Sequence, residues 1–574
     1  MKNLFIFFIT ILGYNSIAQT YSPEVEKKIK QVEENLFKYF KIEGQPNSTI
    51  QQRMSLYKIV GISVAVVNDY KIEWAKGYGW ADSSEKRPVT PSTIFEPGSI
   101  SKSLNGVGVL KLAQHNQIDL FADINNYLTS WKFPYDKTSN GKKITMANLL
   151  SHTAGLTVHG FEGYEVGDSI PTIQQILDGK RPANSESVRS DMELGIKHVY
   201  SGGGTTISQL IINDITQQPY DKWMYENVLK PIGMTNSSYS QPQPKEKQNL
   251  MATGYLQNSP VKGKYHVYPE QAAAGLWTTP TDLCKFIIET QLSLKGKSNK
   301  VLSQKETELQ LSSYIDSSSG LGVFIHNPLG TKYFTHDASN EGFSGTYFGS
   351  YEGGNGIAIV CNSYDGSILM NELFISVARV YHWKDFGAKE AVVKKAVKLK
   401  GDRANKFIGY YQEGTSINEI YKKGDNYYFQ AQGEPWQIYF TGDSSFINLE
   451  SISEKTFLFD KTGNVIGLKR VVYGKEIDSI ERIEIVKLPA FDLQKYAGEY
   501  KIDNITTSIH LIGDTPYLLP YKNTKWAIKF ISKNDFFVTE DPGVLYTFIK
   551  DSSGKATGFI RNDGERAETL QRIN

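Results

Sequence analysis

Ser99 and Lys102 stand three positions apart, a spacing at which a serine hydroxyl and a lysine amine can exchange a proton on a helix. The chain after Gly98 predicts a helix, because apolar side chains recur three or four positions apart from Ile100 to Leu110. On such a helix Ser99 and Lys102 lie one turn apart on the same face. A serine becomes a nucleophile when a neighbouring base takes its proton, and Lys102 is placed for that task. The alternative is that Ser99 only caps the helix.

Two further side chains could take part in proton transfer. Tyr200 precedes the three glycines 202–204, which predict a loop from which its hydroxyl projects. The alternative is an ordinary core tyrosine, since the chain holds 34 of them. His152 follows Ser151, but the Thr-Ala-Gly run after it indicates a helix end, where a histidine commonly satisfies backbone groups. We therefore expect His152 to be structural.

Strands and helices that would position these residues can be read from the hydrophobic pattern. Residues 61–68 and 72–78 predict a strand hairpin before Ser99. Further helices are expected at about 206–215, through Cys284 and Phe286, and at about 367–383. Strand-like runs are expected on both sides of residues 333–343. The polar, irregular stretch of about 157–199 resembles the wall of a binding site.

Composition narrows the function classes. A chain of 574 residues suggests about three or four domains. Hydrophobic residues make up 40% and charged residues 22%, which is typical of a globular protein, and the net charge of +2 gives no reason to expect a nucleic-acid partner. Metal or organic cofactors are not expected either, because His-Glu-x-x-His, P-loop and dinucleotide-binding motifs are missing from the sequence.

Residues 1–18 predict a cleavable signal peptide, with Lys2 before an apolar run and small residues at Ser16 and Ala18. The run is too short for a transmembrane anchor. A lipid anchor is not expected, because the cleavage point has no cysteine. A periplasmic or secreted protein is the expectation. Cys284 and Cys361 could pair in that compartment, but two buried thiols are favoured because so long a chain needs no covalent staple.

Three short motifs occur in a characteristic order: Ser99-Ile100-Ser101-Lys102, Tyr200-Ser201-Gly202 and His336-Asp337-Ala338. Residues 150–156 and 275–280 add two stretches in the same order. Residues of about 50 to 385 thereby resemble the serine β-lactamase and penicillin-binding-protein family, on the side of the class C enzymes, esterases and D-aminopeptidases. The resemblance implies an α+β fold over residues 19–388, with an antiparallel sheet flanked by helices and a helical subdomain.

The resemblance also implies a role for each motif. Ser99 would attack a carbonyl and form an acyl-enzyme, Lys102 would take or relay its proton, and Tyr200 would act as paired base and acid. The backbone N–H groups of Ser99 and Ser339 would form the oxyanion hole. His336 would line the opposite wall and orient Tyr200 or a substrate carboxylate.

Three departures from the family pattern concern substrate binding. Gly202 stands where class C enzymes carry an asparagine that holds the acyl side chain. His336 and Asp337 replace the Lys-Thr pair that grips the β-lactam carboxylate, and Asp337 would repel an anion if it faces the site. Ala338 replaces a glycine. All three argue against an efficient β-lactamase and leave the acylation residues in place.

The chain beyond residue 388 has a different pattern. Residues 389–400 are basic and indicate a linker or a short connecting helix. Residues 401–487 and 488–574 then repeat each other at an offset of about 90, so that Phe407–Tyr411 matches Tyr496–Tyr500 and Gly467–Arg470 matches Gly558–Arg561. Each copy predicts about eight short strands, enough for a small barrel. The modules resemble the lipocalin-like domains that follow some D-aminopeptidases; whether they close as one barrel or two is open.

The sequence predicts an exported serine hydrolase that acts through an acyl-enzyme on small esters or amides, plausibly peptides that contain a D-residue. A β-lactamase or D-Ala-D-Ala carboxypeptidase is the alternative within the enzymes. A non-catalytic binding protein, with an idle serine site and ligand-holding barrels, is the alternative from another class. The expected partner is a small-molecule or short-peptide substrate, and any homo-oligomer is expected to form through the C-terminal barrels.

Overall fold

The computed structural model describes residues 21–386, 391–399, 401–431, 435–502, 505–520, 524–564 and 567–573. The predicted signal peptide therefore lies outside the described residues. The chain divides into two compact units, the first comprising Met1–Phe37 with Asn47–Ala388 and the second Lys38–Pro46 with Lys389–Asn574.

The first strand, β1 (Phe40–Ile42), belongs to the second unit. The strands of the first unit are β2 (Gly61–Asn68), β3 (Lys71–Asp82), β4 (Arg87–Pro88), β5 (Tyr164–Glu165), β6 (Tyr255–Leu256), β7 (Ser259–Pro260), β8 (His266–Val267), β9 (Phe324–His326), β10 (Tyr333–Asn340), β11 (Phe343–Ser350) and β12 (Gly356–Cys361). Seven of them form a sheet in the order β4-β3-β2-β12-β11-β10-β9. The ladders recorded for this sheet are antiparallel, and the strands β2 and β12 at its centre are almost entirely buried.

The helices of the first unit are α1 (Pro23–Glu34), α2 (Ile50–Leu56), α3 (Ser101–Gln114), α4 (Met146–Leu150), α5 (Ile173–Asp178), α6 (Gly202–Thr216), α7 (Tyr220–Met224), α8 (Lys230–Ile232), α9 (Gln271–Ala274), α10 (Pro280–Leu294), α11 (Gln304–Gln310) and α12 (Ser367–Val380). Short 3₁₀ turns occupy Gly98–Ile100, Ile124–Asn126, Lys137–Ser139 and Lys245–Leu250, and a π turn occupies Tyr225–Leu229. Helices α1 and α12 pack together, whereas α10 packs on β2, β11 and β12. The predicted α+β class is confirmed.

Helix α6 begins four residues earlier than the sequence predicts. The three glycines form its first turn instead of a loop, because the hydroxyl of Ser201 accepts a hydrogen bond from the Gly204 N–H at 3.0 Å and caps the helix. A side chain at Gly203 would lie 2.7 Å from Val188, so the glycines let the helix approach that residue closely. Tyr200 is consequently held two residues before a helix start.

The second unit continues with β13 (Val392–Lys394), a 3₁₀ turn at Gly401–Phe407 and the strands β14 (Gly409–Glu413), β15 (Ser416–Lys423), β16 (Asn426–Gln430), β17 (Trp436–Phe440), β18 (Ser445–Asn448), β19 (Ser453–Phe459), β20 (Val465–Val472) and β21 (Lys475–Ile483). After α13 (Ala490–Leu493) come β22 (Gly498–Ile502), β23 (Ile505–Ile512), β24 (Thr515–Leu519), β25 (Trp526–Phe530), β26 (Asp535–Val538), β27 (Asp541–Lys550), β28 (Ala556–Asn562) and β29 (Ala567–Arg572). Strands β14–β21 close one barrel and β22–β29 another, so each module closes by itself.

Both barrels carry the same internal contact. In the first, the Tyr411 hydroxyl donates to the Phe407 carbonyl at 2.7 Å, and in the second the Tyr500 hydroxyl donates to the Tyr496 carbonyl at 2.5 Å. Both tyrosines are fully buried in separate aromatic cores. The repeat seen in the sequence is therefore a repeat of structure.

Residues 392–394 form strand β13 rather than the connecting helix considered from the sequence, and β13 pairs in parallel with β1. Phe40 and Ile42 of β1 pack on Ile447 of the first barrel. An N-terminal segment of the chain thus completes the second unit.

The two cysteines are separate buried thiols, the arrangement the sequence favours. Cys361 lies 2.9 Å from the Ser344 hydroxyl, and Cys284 lies 3.4 Å from the Ala65 carbonyl. Within the described part of the chain, no helix combines the length and the apolar character that crossing a membrane requires.

Candidate active site

Ser99 lies in the 3₁₀ turn Gly98–Ile100 that leads into α3. The N-cap of this turn is Pro97, which has no hydroxyl, so Ser99 is not the capping residue. The neighbouring Ser101 makes the hydrogen bonds to the local backbone. Its hydroxyl donates to the Gly98 carbonyl at 2.5 Å and accepts from the Leu276 N–H at 3.0 Å. The Ser99 hydroxyl is therefore available for other partners.

Lys102 and Tyr200 both reach the Ser99 hydroxyl oxygen. Lys102 Nζ donates to it at 2.9 Å, and the Tyr200 hydroxyl lies 2.8 Å from it. Lys102 is only 3% exposed and also donates to the Ala273 carbonyl at 2.7 Å. These separations are within the hydrogen-bond range that proton transfer requires. The structure thus brings together the three residues that the sequence singles out for proton transfer.

His152 packs against the ring of Tyr200 and hydrogen-bonds to the next residue. Its ring lies 4.3 Å from the Tyr200 ring, and its Nδ1 accepts a hydrogen bond from the Ser201 N–H at 3.2 Å. Burial, followed by the nearby charge of Lys102, holds the pKa of His152 well below its usual value. The imidazole is therefore neutral. The expectation that His152 satisfies backbone groups is confirmed, but its contact with Tyr200 has no signal in the sequence.

Helix α9 anchors two parts of the site through consecutive carbonyl groups. Ala273 accepts from Lys102, and Ala274 accepts from the side-chain amide of Asn340 at 3.0 Å. Because Asn340 ends β10, the helix ties the lysine and the strand to one rigid element. Sequence reasoning missed this function because every residue can offer a backbone carbonyl.

Strand β10 presents the predicted third motif on two opposite faces. His336 is buried, with its ring 6.3 Å from the Tyr200 ring and 4.9 Å from that of Phe324. Burial and then the charge of Lys102 lower the pKa of His336 to about 3. Asp337 is exposed on the other face, where it accepts a hydrogen bond from the Thr346 hydroxyl at 2.6 Å. The two residues therefore meet different surroundings.

Gly98 brings the backbone at Ser99 close to Ser339. A Cβ atom on Gly98 would lie 2.8 Å from the Ser339 carbonyl oxygen and 2.7 Å from Oδ1 of Asn340. Gly98 also has a φ of +70°, in the left-handed region that favours glycine. The two residues predicted to form the oxyanion hole thus lie on adjoining segments.

Gly202 lies in the first turn of α6, where a Cβ atom would be 3.0 Å from the Phe161 ring. An aromatic ring therefore lies against this position in place of a polar side chain. On another side of Ser99, a cavity of about 640 Å³ extends along β10, β11 and α12. The nucleophile candidate consequently borders a space large enough for a small substrate.

Two buried carboxyl groups lie in segments that carry the site. Glu96, three residues before Ser99, is fully buried and accepts from the Gln241 amide at 2.7 Å, and burial raises its pKa well above the usual value. Glu270 precedes α9 and is buried as well, which raises its pKa to about 8. Among the described residues, no group of three His, Cys, Asp or Glu side chains could hold a metal ion.

Comparisons with known proteins identify the family of the chain. The profile of a family described as Beta-lactamase matches residues 47–373. Protein flp of Staphylococcus aureus strain N315 is 27% identical over 316 residues, which cover 53% of this chain and 58% of that protein. The putative penicillin-binding protein PbpX of Bacillus subtilis strain 168 is 27% identical over 286 residues, covering 48% of this chain and 65% of PbpX. The chain thus spans about three fifths of the length of these curated relatives.

A solved structure resembles the fold over a longer range. It is the octameric penicillin-binding protein homologue from Pyrococcus abyssi, with a TM-score of 0.52 and 19% identity, and the match covers 82% of this chain and 97% of that one. At this level of identity the likeness concerns the fold alone.

Proposed function

The chain belongs to the β-lactamase family, and we propose that it is an exported serine hydrolase that acts through an acyl-enzyme on small esters or amides. The observation that carries the proposal is the Ser99 hydroxyl oxygen, which lies 2.9 Å from Lys102 Nζ and 2.8 Å from the Tyr200 hydroxyl. A serine with two polar hydrogen-bond partners of this kind is arranged as an activated nucleophile. Export is supported by the signal-peptide pattern of residues 1–18.

In the proposed first step, the Lys102–Tyr200 pair has already released one proton and so holds a free base, a neutral amine or a phenolate. Ser99 Oγ forms a bond to the substrate carbonyl carbon while its proton passes to that base. The oxyanion would accept hydrogen bonds from the backbone N–H groups of Ser99 and Ser339. The bond from the carbonyl carbon to the leaving oxygen or nitrogen then breaks, and the pair returns the proton to the leaving group. Water attacks the acyl-enzyme by the same route, which releases the acid and regenerates Ser99.

Neutral imidazoles of His152 and His336 support this assignment. Both carry lowered pKa values, so neither adds a second positive charge beside Lys102. We assign His336 to the wall of the site that orients Tyr200, since the two rings lie 6.3 Å apart. A neutral His336 offers an anionic substrate group no charge to pair with.

The substrate class follows from the partners that surround the nucleophile. Gly202 offers no amide to an acyl side chain and lies against Phe161, and Asp337 adds a negative charge near Ser99. We therefore propose small esters or amides, including peptides with a D-residue, over penicillins and cephalosporins. A β-lactamase or D-Ala-D-Ala carboxypeptidase is the second candidate, favoured by the similarity to the putative penicillin-binding protein PbpX.

A fluorophosphonate probe and two chromogenic substrates test the proposal. We expect the probe to label the wild type and Ser92→Ala, a variant of an exposed serine seven residues away, and to leave Ser99→Ala unlabelled. Labelling of Ser99→Ala would contradict the nucleophile, and an unlabelled wild type would favour a non-catalytic binding protein. We expect kcat/KM for p-nitrophenyl acetate to exceed that for nitrocefin. A nitrocefin value of about 10⁴ M⁻¹s⁻¹ or more without matching ester hydrolysis would favour the β-lactamase.

A further inference from the structure

The cavity beside Ser99 lies on the face of the sheet that packs against α12. Its wall on the sheet includes Asp337 of β10 and Thr346 and Phe348 of β11, and its wall on the helix includes Met370 and Phe374 of α12. The volume of about 640 Å³ is that of a site for a drug-sized molecule. Because Ser99 is part of the lining, a molecule in this cavity can reach the nucleophile with its scissile bond.

The charges at this cavity are negative. Asp337 and Asp365 are both exposed residues of its lining, and no described lining residue is a lysine, arginine or histidine. The hydrogen bond from Thr346 at 2.6 Å orients the Asp337 carboxylate. Clefts lined by charge of one sign concentrate ligands of the opposite sign.

The hydrogen bonds of Lys102 go to Ser99 and to the Ala273 carbonyl, and in the described part of the chain Lys102 forms no ion pair with Asp337 or Asp365. Side chains of adjacent strand residues point to opposite faces. His336, whose pKa is lowered by burial and then by the Lys102 charge, lies on the face that carries Tyr200, whereas Asp337 points to the α12 face. Asp337 thus lies on the opposite side of β10 from His336, the strand residue that is near the Lys102 charge.

Part of the cavity wall is apolar, beside the hydroxyl groups of Ser339, Ser344 and Ser367. The rings of Phe348 and Phe374 stack with their centres 4.1 Å apart, and Met370 lies beside them in the wall. Tyr364, half exposed, adds a further aromatic ring. Apolar walls with carboxylates suit an ammonium or guanidinium on a short hydrocarbon chain, since aromatic faces also attract cations.

We propose that this cavity binds a positively charged group of the substrate, an ammonium or guanidinium attached near the ester or amide bond that Ser99 attacks. The inference rests on the proposed hydrolase function and specifies its substrate class. It gives Asp337 and Asp365 the role of selecting cationic over neutral and anionic substrates.

Two pairs of isosteric esters test the charge alone. The first pair is acetylthiocholine, whose leaving group is cationic, and its neutral isostere 3,3-dimethylbutyl thioacetate. The second pair consists of two p-nitrophenyl esters. The acyl group is the cationic 4-(trimethylammonio)butanoate in one and the neutral 5,5-dimethylhexanoate in the other. For at least one pair we expect the wild type to prefer the cation by about tenfold in kcat/KM, the scale of two exposed ion pairs. The preference should shrink in 0.5 M NaCl, because salt screens exposed charges.

The double variant Asp337→Asn, Asp365→Asn should bring the cation-to-neutral ratio close to one. The ratio is the readout because the double variant can also change absolute rates. Glu352→Gln is the matched control, since Glu352 is exposed beyond the far end of β11 and should leave the ratio unchanged. Equal rates for both members of both pairs, or a preference that survives in the double variant, would overturn the inference while hydrolysis continues. Absence of hydrolysis and of probe labelling in the wild type would overturn the proposed function and the inference with it.

Discussion

The hydroxyl oxygen of Ser99 has two partners at nearly equal distance, Lys102 at 2.9 Å and Tyr200 at 2.8 Å. Lys102 also contacts Tyr200 directly, with Nζ 5.0 Å from the centre of the tyrosine ring. Because both groups hydrogen-bond to the same Ser99 oxygen, a proton can pass between them through that hydroxyl. We infer that Lys102 and Tyr200 act as a single relay and not as two independent bases.

We expect Lys102→Ala and Tyr200→Phe each to lower kcat/KM for p-nitrophenyl acetate by about 10²-fold or more, the usual loss when general acid–base catalysis is removed. The double variant should lose little more than either single variant, because residues that act as a unit are not additive. Tyr428→Phe in the first barrel serves as the control for the tyrosine change. A fully multiplicative loss in the double variant would contradict a shared relay.

At the scale of elements, the site depends on how closely the 3₁₀ turn at Ser99 approaches β10. Gly98 permits both the left-handed backbone and the contact with Ser339 and Asn340. Helix α9 then holds Asn340 through the Ala274 carbonyl. The spacing between the turn and the strand is thus set by contacts on both sides.

We expect Gly98→Ala to lower kcat/KM by about 10²-fold, because its Cβ would push the turn off the strand and displace Ser99. Gly141→Ala is the matched control. Gly141 has a similar φ of +73°, but nothing lies within 4 Å of its added Cβ. Both variants place an alanine in the left-handed backbone region and are destabilised by it. Equal activities in the two would therefore show that the contact with β10 does not position Ser99.

Much of the site was predictable from motifs, and the remainder depends on contacts without a sequence pattern. Ser99 and Lys102 were identified by residue type and spacing, and Tyr200 by the resemblance of residues 200–202 to a family motif. The carbonyl of Ala273 was missed, since a backbone acceptor is common to all residues. The side of the strand on which Asp337 lies follows from simple alternation once His336 is placed. The parallel pairing of β1 with β13 joins short segments about 350 residues apart, beyond the reach of local periodicity.

At the scale of the whole molecule, the first unit and the two barrels have separate hydrophobic cores. Unfolding is therefore expected to show more than one transition. Glu270 belongs to the first unit, and no other described residue hydrogen-bonds to its carboxyl oxygens. Burial raises its folded-state pKa to about 8. In the folded unit the Glu270 carboxyl consequently keeps its proton at pH values at which the unfolded chain has released it. The ordinary pKa of this carboxyl group is 4.5.

We expect the free energy of unfolding of the first unit to carry a Glu270 contribution that is fully present below about pH 4.5 and lost as the pH rises to about 8. The slope approaches about 1.4 kcal/mol per pH unit within that window. Glu270→Gln cannot ionise, so its stability relative to the wild type should rise over the same window. Calorimetry at several pH values measures this, with the exposed Glu186→Gln as control. A constant difference between Glu270→Gln and wild type would contradict a neutral buried carboxyl group.

The pairing of β1 with β13 would hold the two halves of the chain together after a backbone cleavage between them. Residues 38–46 belong to the second unit although both neighbouring stretches of sequence belong to the first. A protease site inserted between residues 388 and 389 would leave β1 on one fragment and β13 on the other. The backbone pairing, the packing of Phe40 and Ile42 on Ile447 and the ion pair of Lys38 with Glu450 at 3.4 Å would remain. We expect the cleaved fragments to co-elute in size-exclusion chromatography and to separate only in denaturant, whereas Phe40→Asp combined with Ile42→Asp should let them part in buffer. In this protein, cutting the chain between residues 388 and 389 would nick the molecule without dividing it.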